Sequence, residues 1–116
     1  MKQMELIYVA GPYRGKSKIR VINFFQRLRN IHRARKAAKE LWGMGYAVIC
    51  PHSNSAMMDG VCPDENFLAG TLSMMAACDK VVLLDGWVNS SGTWGEINKA
   101  KEWHIPVEEY QHFQSI

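Results

Sequence analysis

Short apolar runs, separated by longer helical patterns, constrain the fold of this 116-residue chain more than any other feature. Leu6–Ala10, Tyr46–Cys50 and Lys80–Leu84 are rich in β-branched residues and are typical of buried strands, and Ile105–Val107 is a shorter candidate. The strand–helix alternation predicts an α/β fold with a parallel sheet of four to five strands and helices on both faces.

Three segments with apolar residues at helical spacing connect these strands. We expect helices from about Asn23 to Trp42, from Pro63 or Asp64 to about Ala77, and from Thr93 to about Trp103. The loops 11–22, 51–63 and 85–92 then follow the carboxyl ends of strands. Ligands of doubly wound folds bind at that edge of the sheet, so we expect the functional residues in these loops.

Composition and length are those of an ordinary folded protein, with 47% hydrophobic and 22% charged residues. We expect one domain over residues 1–116. No apolar run approaches the ~20 residues of a membrane helix, and no signal peptide is recognisable.

The cysteines bear on location and on metal binding. Cys50, Cys62 and Cys78 are odd in number, which favours reduced thiols and a cytoplasmic location. Cys50, His52 and Cys62 match no standard metal-ligand spacing, so we expect no metal site.

The formal net charge of +3 conceals a split between the two parts of the chain. Residues 1–39 carry eleven basic residues and one acid, whereas residues 40–116 carry three basic residues and ten acids. Six basic residues alternate with the apolar positions of the first helix: Arg27, Arg29, Arg33, Arg35, Lys36 and Lys39. We interpret them as a solvated face. Nucleic-acid binding is the alternative, but no aromatic stacking platform accompanies the charge.

The first loop resembles a nucleotide-binding P-loop without matching it. The sequence Gly-Pro-Tyr-Arg-Gly-Lys-Ser covers residues 11–17, but the motif requires a glycine where this chain has Ala10. Gly11 and Gly15 still allow the backbone to approach a ligand, and Arg14 offers a planar fork for phosphate oxygens. A solvated basic loop is the alternative interpretation.

The third loop carries a run of hydroxyl and amide groups before a predicted helix. Ser90, Ser91, Gly92 and Thr93 could bind an anion or a sugar there, with Glu96 in the first helical turn. The sequence Thr93-x-x-Glu96 also fits a capping box, and the local pattern alone favours that cap.

Two tryptophans lie close to this loop. Trp87 and Trp94 could stack on a nucleobase, and they could equally belong to the core or to a subunit interface.

Five segments together resemble the nucleoside 2-deoxyribosyltransferase superfamily, in particular its small phage- and bacteria-associated branch of unknown function. The resemblance spans about Leu6 to Val107. The segments are Tyr8-Val-Ala-Gly-Pro-Tyr-Arg, Asn30-Ile-x-Arg-Ala with Leu41-Trp and Gly45, Val48-Ile-Cys-Pro-His, Cys78-Asp-Lys-Val-Val-Leu-Leu-x-Gly-Trp, and Ser91-Gly-x-x-x-Glu96.

The resemblance implies a flavodoxin-like (Rossmann-like) fold and chemistry at the N-glycosidic bond of a nucleoside or nucleotide. The family's nucleophilic glutamate matches Glu96, and the tyrosine that orients it matches Tyr8. Ser90 matches a serine of the nucleoside 5′-monophosphate N-hydrolases, where the transferases often carry an acid. Together with Arg14, it favours a substrate with a 5′-phosphate. The family's chemistry requires no cofactor, and its members complete their sites across a subunit contact, so we expect a homodimer or larger homo-oligomer.

One position departs from the family pattern. Where the family has an aspartate that handles the proton of the leaving base, eight residues before Asp79, this chain has Thr71. Threonine is no general acid near neutral pH, although Asp59, Asp64 or Glu65 could supply the proton. A nucleotide-binding module without turnover, or an accessory factor that binds nucleic acid or protein through the basic helix, therefore remains an alternative.

Overall fold

A computed structural model of the chain describes residues 4–13, 17–51 and 61–111. Within them, the strands β1 (Leu6–Ala10), β2 (Ala47–Ile49), β3 (Lys80–Leu83) and β4 (Val107–Glu109) form one sheet in the order β2-β1-β3-β4. All three pairings are parallel. The helices that lie wholly within these residues are α1 (Arg20–Gly43), α2 (Asp64–Ala76) and α3 (Ser91–Glu102), and a short 3₁₀ helix covers Trp87–Asn89. The predicted flavodoxin-like α/β fold is confirmed.

Each face of the sheet has its own apolar core, because successive side chains of a strand point to opposite faces. On one face, Ile7 and Val9 of β1 pack with α1 residues that include Ala34 and Leu41. On the other, Tyr8 and Ala10 pack with residues of α2 and α3: Met75, Ile97 and Ala100. Helices thus cover both faces, as the alternation predicted.

Helix α1 begins three residues before the predicted start. No side chain caps its first turn, so the sequence lacks the usual start signal there. Instead, the Asn23 backbone N–H donates to the Ile19 carbonyl at 2.9 Å, which continues the helical ladder back to Ile19. The buried residues of α1 lie between Ile31 and Leu41, and its first turns carry exposed apolar side chains.

The last strand lies two residues beyond the predicted Ile105–Val107. β4 contains Glu108 and Glu109, which no apolar pattern could identify. It is an edge strand, and both carboxylates find partners. Glu108 pairs with Lys80 Nζ at 3.2 Å, and Glu109 accepts from Trp87 Nε1 at 2.9 Å.

No helix within residues 4–13, 17–51 or 61–111 is both long enough and apolar enough to cross a bilayer.

Candidate active site

A tyrosine–glutamate pair joins β1 to α3 on one face of the sheet. The Tyr8 hydroxyl donates a hydrogen bond to Glu96 Oε2, across 88 positions of sequence. Tyr8 is fully buried at the centre of the sheet, and Glu96 is partly buried in the second turn of α3. The two residues singled out as nucleophile and orienting partner are therefore in direct contact.

Burial sets the protonation behaviour of both groups. Loss of water raises the pKa of Glu96 to about 7, and the hydrogen bond from Tyr8 opposes that rise. Burial, followed by the nearby Glu96 charge, raises the pKa of Tyr8 far above its usual value of 10.0. Tyr8 therefore stays protonated as a donor, while Glu96 changes charge near neutral pH. A buried carboxylate of that kind, held by one donor, is typical of catalytic sites.

Thr71 of α2 lies beside the same tyrosine. The Thr71 hydroxyl lies near the Tyr8 oxygen, where it can turn to donate to an ionised Tyr8, and this opposes the rise in the pKa of Tyr8. The Thr71 hydroxyl also donates to the Leu68 carbonyl at 2.9 Å. Three elements, β1, α2 and α3, thus bring Thr71, Tyr8 and Glu96 together.

Ser90 is the N-cap of α3, and the predicted Thr93-x-x-Glu96 capping box is wrong. The Ser90 Oγ accepts from the Thr93 backbone N–H at 3.3 Å and from the Thr93 hydroxyl at 2.9 Å. Because the helix starts at Ser91 rather than Thr93, Glu96 lies in its second turn and not its first. Glu96 is therefore directed to Tyr8 instead of to the helix end.

Ser91 and Gly92 form the first turn of α3 and are exposed. The backbone N–H groups of a first turn lack intrahelical partners and point along the helix axis. Ser90 lies about 9 Å along the axis from Glu96, at 1.5 Å per residue. That separation suits a ligand with a reacting centre at one end and an anionic group at the other.

Gly11 follows β1 and meets the residue after β3. A Cβ at Gly11 would lie 2.8 Å from Leu84 Cβ, closer than carbon atoms approach in proteins. The packing of the two strand ends therefore requires a glycine at position 11, apart from any contact with a ligand.

Trp87 and Trp94 pack against each other, with ring centroids 5.2 Å apart and planes inclined by 58°. The indole N–H of Trp87 donates to Glu109, and that of Trp94 donates to the Val88 carbonyl at 2.8 Å. Trp87 also contacts the core on the Tyr8 face. Both rings thus have partners within this chain, and Trp94 remains 39% exposed.

Several predicted residues fall outside the described part of the chain: Arg14, Gly15, Lys16, His52 and Asp59. The side chain of Asp64 is outside it as well. Helix α1 carries seven basic side chains, of which six are exposed and Arg27 is partly buried, as expected of a solvated face.

The described residues contain no group of three His, Cys, Asp or Glu side chains that could hold a metal ion. Within the described residues no cysteine forms a disulfide; Cys50 and Cys78 are buried, and Cys62 is partly buried.

A known protein family matches almost the whole described chain. A family described as a domain of unknown function, DUF4406, matches residues 5–109. The chain belongs to the DUF4406 family. No curated protein matches it.

Among solved structures, the DUF4406 chain is similar to a 2-deoxyribosyltransferase from the psychrotolerant bacterium Bacillus psychrosaccharolyticus. The TM-score is 0.61 at 17% sequence identity, and the match covers 90% of this chain and 70% of that chain. That enzyme is described as a biocatalyst for the synthesis of nucleosides. The similarity confirms the deoxyribosyltransferase-like fold that the resemblance implied.

Some hydrogen-bond partners of the site residues could not be predicted from the sequence. Glu109 fixes Trp87 from a strand 22 residues away, and Val88 fixes Trp94 through its backbone carbonyl. Neither contact follows a periodic pattern. Thr71 could be placed near the site only through the family resemblance.

Proposed function

We propose that this protein cleaves or transfers at the N-glycosidic bond of a nucleoside 5′-monophosphate or nucleoside, of the ribose or 2′-deoxyribose series, through a glycosyl-enzyme on Glu96. The observation that carries the proposal is the buried Tyr8–Glu96 pair. It places one carboxylate with a pKa of about 7 beside a hydroxyl that keeps its proton. The deoxyribosyltransferase-like fold supports it.

The chemistry follows from the geometry of the carboxylate. Tyr8 engages Oε2, so Oε1 is the atom that attacks the anomeric carbon. The bond between C1′ and the base nitrogen breaks with its electron pair on the base, and an ester to Glu96 forms. Water or a second base then attacks C1′ and restores the carboxylate, and the proton that the attacking molecule loses balances the one that a neutral leaving base gains. Tyr8 is a positioning residue, which holds the carboxylate at one angle through both steps.

Ser90 and the first turn of α3 supply the binding site for a 5′-phosphate in this proposal. The Ser90 Oγ is an acceptor in both of its bonds to Thr93, so its own hydrogen can be donated to a phosphate oxygen. The N–H groups of Ser91 and Gly92 add donors at the positive end of the helix. We also assign Gly11 and Arg14 to the phosphate and sugar contacts and Trp87 and Asp59 to substrate binding; Arg14 and Asp59 lie outside the described residues.

We also propose that the chain acts as one domain in the cytoplasm and forms a homodimer or larger assembly. The first turns of α1 extend away from the core and expose Val21 at 60% and Phe25 at 63%. Apolar side chains clustered on one helix face are typical of protein contact surfaces. Size-exclusion chromatography with light scattering would contradict the proposal if it gave a monomer at micromolar concentration.

Incubation with each nucleoside and nucleoside monophosphate, followed by chromatography of the free base, tests the activity. We expect base release from at least one substrate. The rival binding module predicts instead that a nucleotide raises the Tm while no base is released at any enzyme concentration.

Ser90 allows a sharper test of the phosphate contact. Aspartate and asparagine both cap helices as well as serine does, so Ser90→Asp and Ser90→Asn should preserve the start of α3. We expect Ser90→Asp to raise KM for a monophosphate at least about tenfold relative to Ser90→Asn, because a carboxylate repels the phosphate. Equal KM values for the two variants would remove Ser90 from the phosphate site.

A further inference from the structure

We propose that this site acts on N-glycosides whose leaving base already carries a positive charge, such as N-alkylated purine or pyridinium nucleotides. The inference rests on the proposed function and adds a substrate class to it. It follows from the side chains near the Tyr8–Glu96 pair in the described part of the chain. They supply a nucleophile, hydroxyls and the buried Cys78 thiol, which donates to the Met74 carbonyl at 3.3 Å, but no carboxylic acid placed to protonate a neutral base.

Thr71 occupies the position on α2 that faces the Tyr8–Glu96 pair. Its hydroxyl has one hydrogen, which is donated to the Leu68 carbonyl at 2.9 Å, with the Tyr8 oxygen as a second neighbour. A threonine hydroxyl does not ionise near neutral pH. Thr71 can therefore orient Tyr8 or contact a base edge, but it cannot deliver a full proton to a departing nitrogen.

Tyr8 does not replace the missing acid. Its hydrogen is already donated to Glu96, and burial beside that carboxylate raises the pKa of Tyr8 well above its ordinary value. Transfer of this proton to a base would leave a phenolate next to a carboxylate in a buried site. The Coulomb repulsion of two such charges at hydrogen-bond distance opposes the transfer.

Glu65, the acidic residue of α2 whose side chain is described, lies on a different face of the helix from Thr71. Glu65 is exposed and lies six residues before Thr71, about 120° around the helix axis from it. Glu96 cannot serve either, because the attacking oxygen belongs to its ionised form. The described site is therefore suited to a leaving group that needs no proton.

A cationic base meets that condition. As Oε1 of Glu96 forms the ester to C1′, the electrons of the C1′–N bond neutralise the charge on the nitrogen, and the base departs neutral. Water then attacks C1′, the carboxylate is released, and one proton passes to solvent. The net reaction converts a cationic N-glycoside and water into a free sugar, a neutral base and a proton. The Glu96 carboxylate, buried near the bond, also attracts the cationic base.

Paired substrates that differ in the charge of the base test the proposal. The pair is 7-methylguanosine 5′-monophosphate and guanosine 5′-monophosphate, with nicotinamide mononucleotide as a second cation and the 2′-deoxy forms measured alongside. Spontaneous base loss is subtracted. General acid catalysis contributes about 10² to 10⁴ in rate, so we expect kcat/KM for the cationic member to exceed that of the neutral one at least about 100-fold.

Variants at position 71 show whether the preference for cationic bases arises because no acid protonates a neutral base. Thr71→Asp should reduce the preference for the cation at least about tenfold relative to Thr71→Asn, which is similar in size and does not ionise. Asp59→Asn and Asp64→Asn should change the release of neutral and cationic bases by the same factor, because neither carboxyl group protonates the base in this proposal.

The outcomes separate this inference from the proposed function. Glu96-dependent release of neutral bases at rates equal to those of cationic bases would overturn the inference and leave the proposed function standing. Selective loss of neutral-base release in Asp59→Asn or Asp64→Asn would also overturn the inference alone, because an acid then exists elsewhere. Release from none of the substrates would overturn both.

Discussion

In the described part of the chain, two buried tyrosines each donate to a glutamate, one on each face of the sheet. Tyr8 donates to Glu96 on the α2–α3 face, and Tyr110 donates to Glu40 on the α1 face. Both bonds join distant parts of the chain, 88 and 70 positions apart. The chemical groups are the same, so any difference in role must come from what surrounds them.

The surroundings differ in their polar neighbours. Tyr110 packs into an apolar cluster with Ile7, Val9 and Leu41, and its backbone N–H continues the sheet to Leu83 at 2.8 Å. Glu40 lies in the last turn of α1, where helix carbonyls disfavour a carboxylate and a donor is needed. This pair fastens α1 to the end of the sheet.

Polar groups instead border the Tyr8–Glu96 pair. Thr71 contacts Tyr8, and Ser90 with the open first turn of α3 lies on the helix that carries Glu96. A tyrosine–glutamate bond is therefore not itself a catalytic signature. The groups that can receive a substrate distinguish the two pairs, and the variants below test that distinction.

Replacing each glutamate by glutamine should give the largest contrast. We expect Glu96→Gln to lower base release at least about 1,000-fold, because an amide cannot form the glycosyl ester. Glu40→Gln keeps an acceptor for Tyr110 and should retain release within about threefold of the unaltered protein. Initial rates of base formation at saturating substrate measure both. Comparable losses in the two variants would mean that the pairs do not differ as proposed.

The same Glu96→Gln substitution should increase stability at alkaline pH. The pKa of Glu96 is about 7 in the folded protein and 4.5 in an unfolded chain, so the folded state holds a proton that the unfolded state loses between these values. The contribution of Glu96 to the free energy of unfolding therefore falls as the pH rises from 4.5 through 7. The full loss is at most about 3 kcal/mol, reached above pH 7.

Urea unfolding of both proteins at pH 5 and pH 8 measures this effect. Glutamine does not titrate, so the stability of Glu96→Gln relative to the unaltered protein should increase between the two pH values. A difference that does not change with pH would show that Glu96 is not buried as a carboxylate in the folded state. The expected increase would show that the candidate nucleophile is held at a cost to folding.

How far the sequence could predict this site depends on the range of each interaction. Leu6–Ala10 was predicted correctly because a strand buried on both faces is a continuous apolar run. The start of α3 was not, since Ser90, Ser91 and Thr93 are all good N-caps and the pattern does not distinguish them. Packing decides among them by burying Thr93 and directing its hydroxyl to Ser90.

The contact between Tyr8 and Glu96 has no local signal at all. It depends on β1 lying at the centre of the sheet and on α3 crossing the Tyr8 face, which follow from the whole topology. Local pattern favoured a capping role for Glu96, and only the family resemblance placed it opposite Tyr8. Side chains such as Glu108 and Glu109, whose partners lie across an edge strand, are unpredictable for the same reason.

Removing each tyrosine hydroxyl should separate the pairs more subtly. The hydrogen bond from Tyr8 lowers the pKa of Glu96, so Tyr8→Phe should raise that pKa above about 7. Activity of the unaltered protein should rise with pH through about 7 as Glu96 ionises. A hydrogen bond to a charged group is worth about 1.5–3 kcal/mol, so the midpoint in Tyr8→Phe should move up by about one pH unit or more.

The measurement is the pH dependence of kcat between pH 5.5 and 9.5. At pH 7 we expect Tyr8→Phe to be about tenfold slower, with part of the loss recovered at pH 9. Tyr110→Phe should keep the midpoint of the unaltered protein. An unshifted midpoint in Tyr8→Phe would show that Tyr8 supports the fold without tuning the carboxylate.

The smallest effect is expected from Tyr110→Phe on stability. The ring still fills its place beside Leu41 and Val9, while the hydrogen bond to Glu40 is lost. A hydrogen bond to a charged group contributes about 1.5–3 kcal/mol, and Glu40 is partly exposed, so water can replace the donor and the loss should be near the lower value. Urea unfolding at pH 7 measures it, with base release unchanged. A loss above about 3 kcal/mol would mean that water cannot reach the Glu40 carboxylate once the Tyr110 hydroxyl is gone. The Tyr110–Glu40 pair would then be as inaccessible to water as the Tyr8–Glu96 pair.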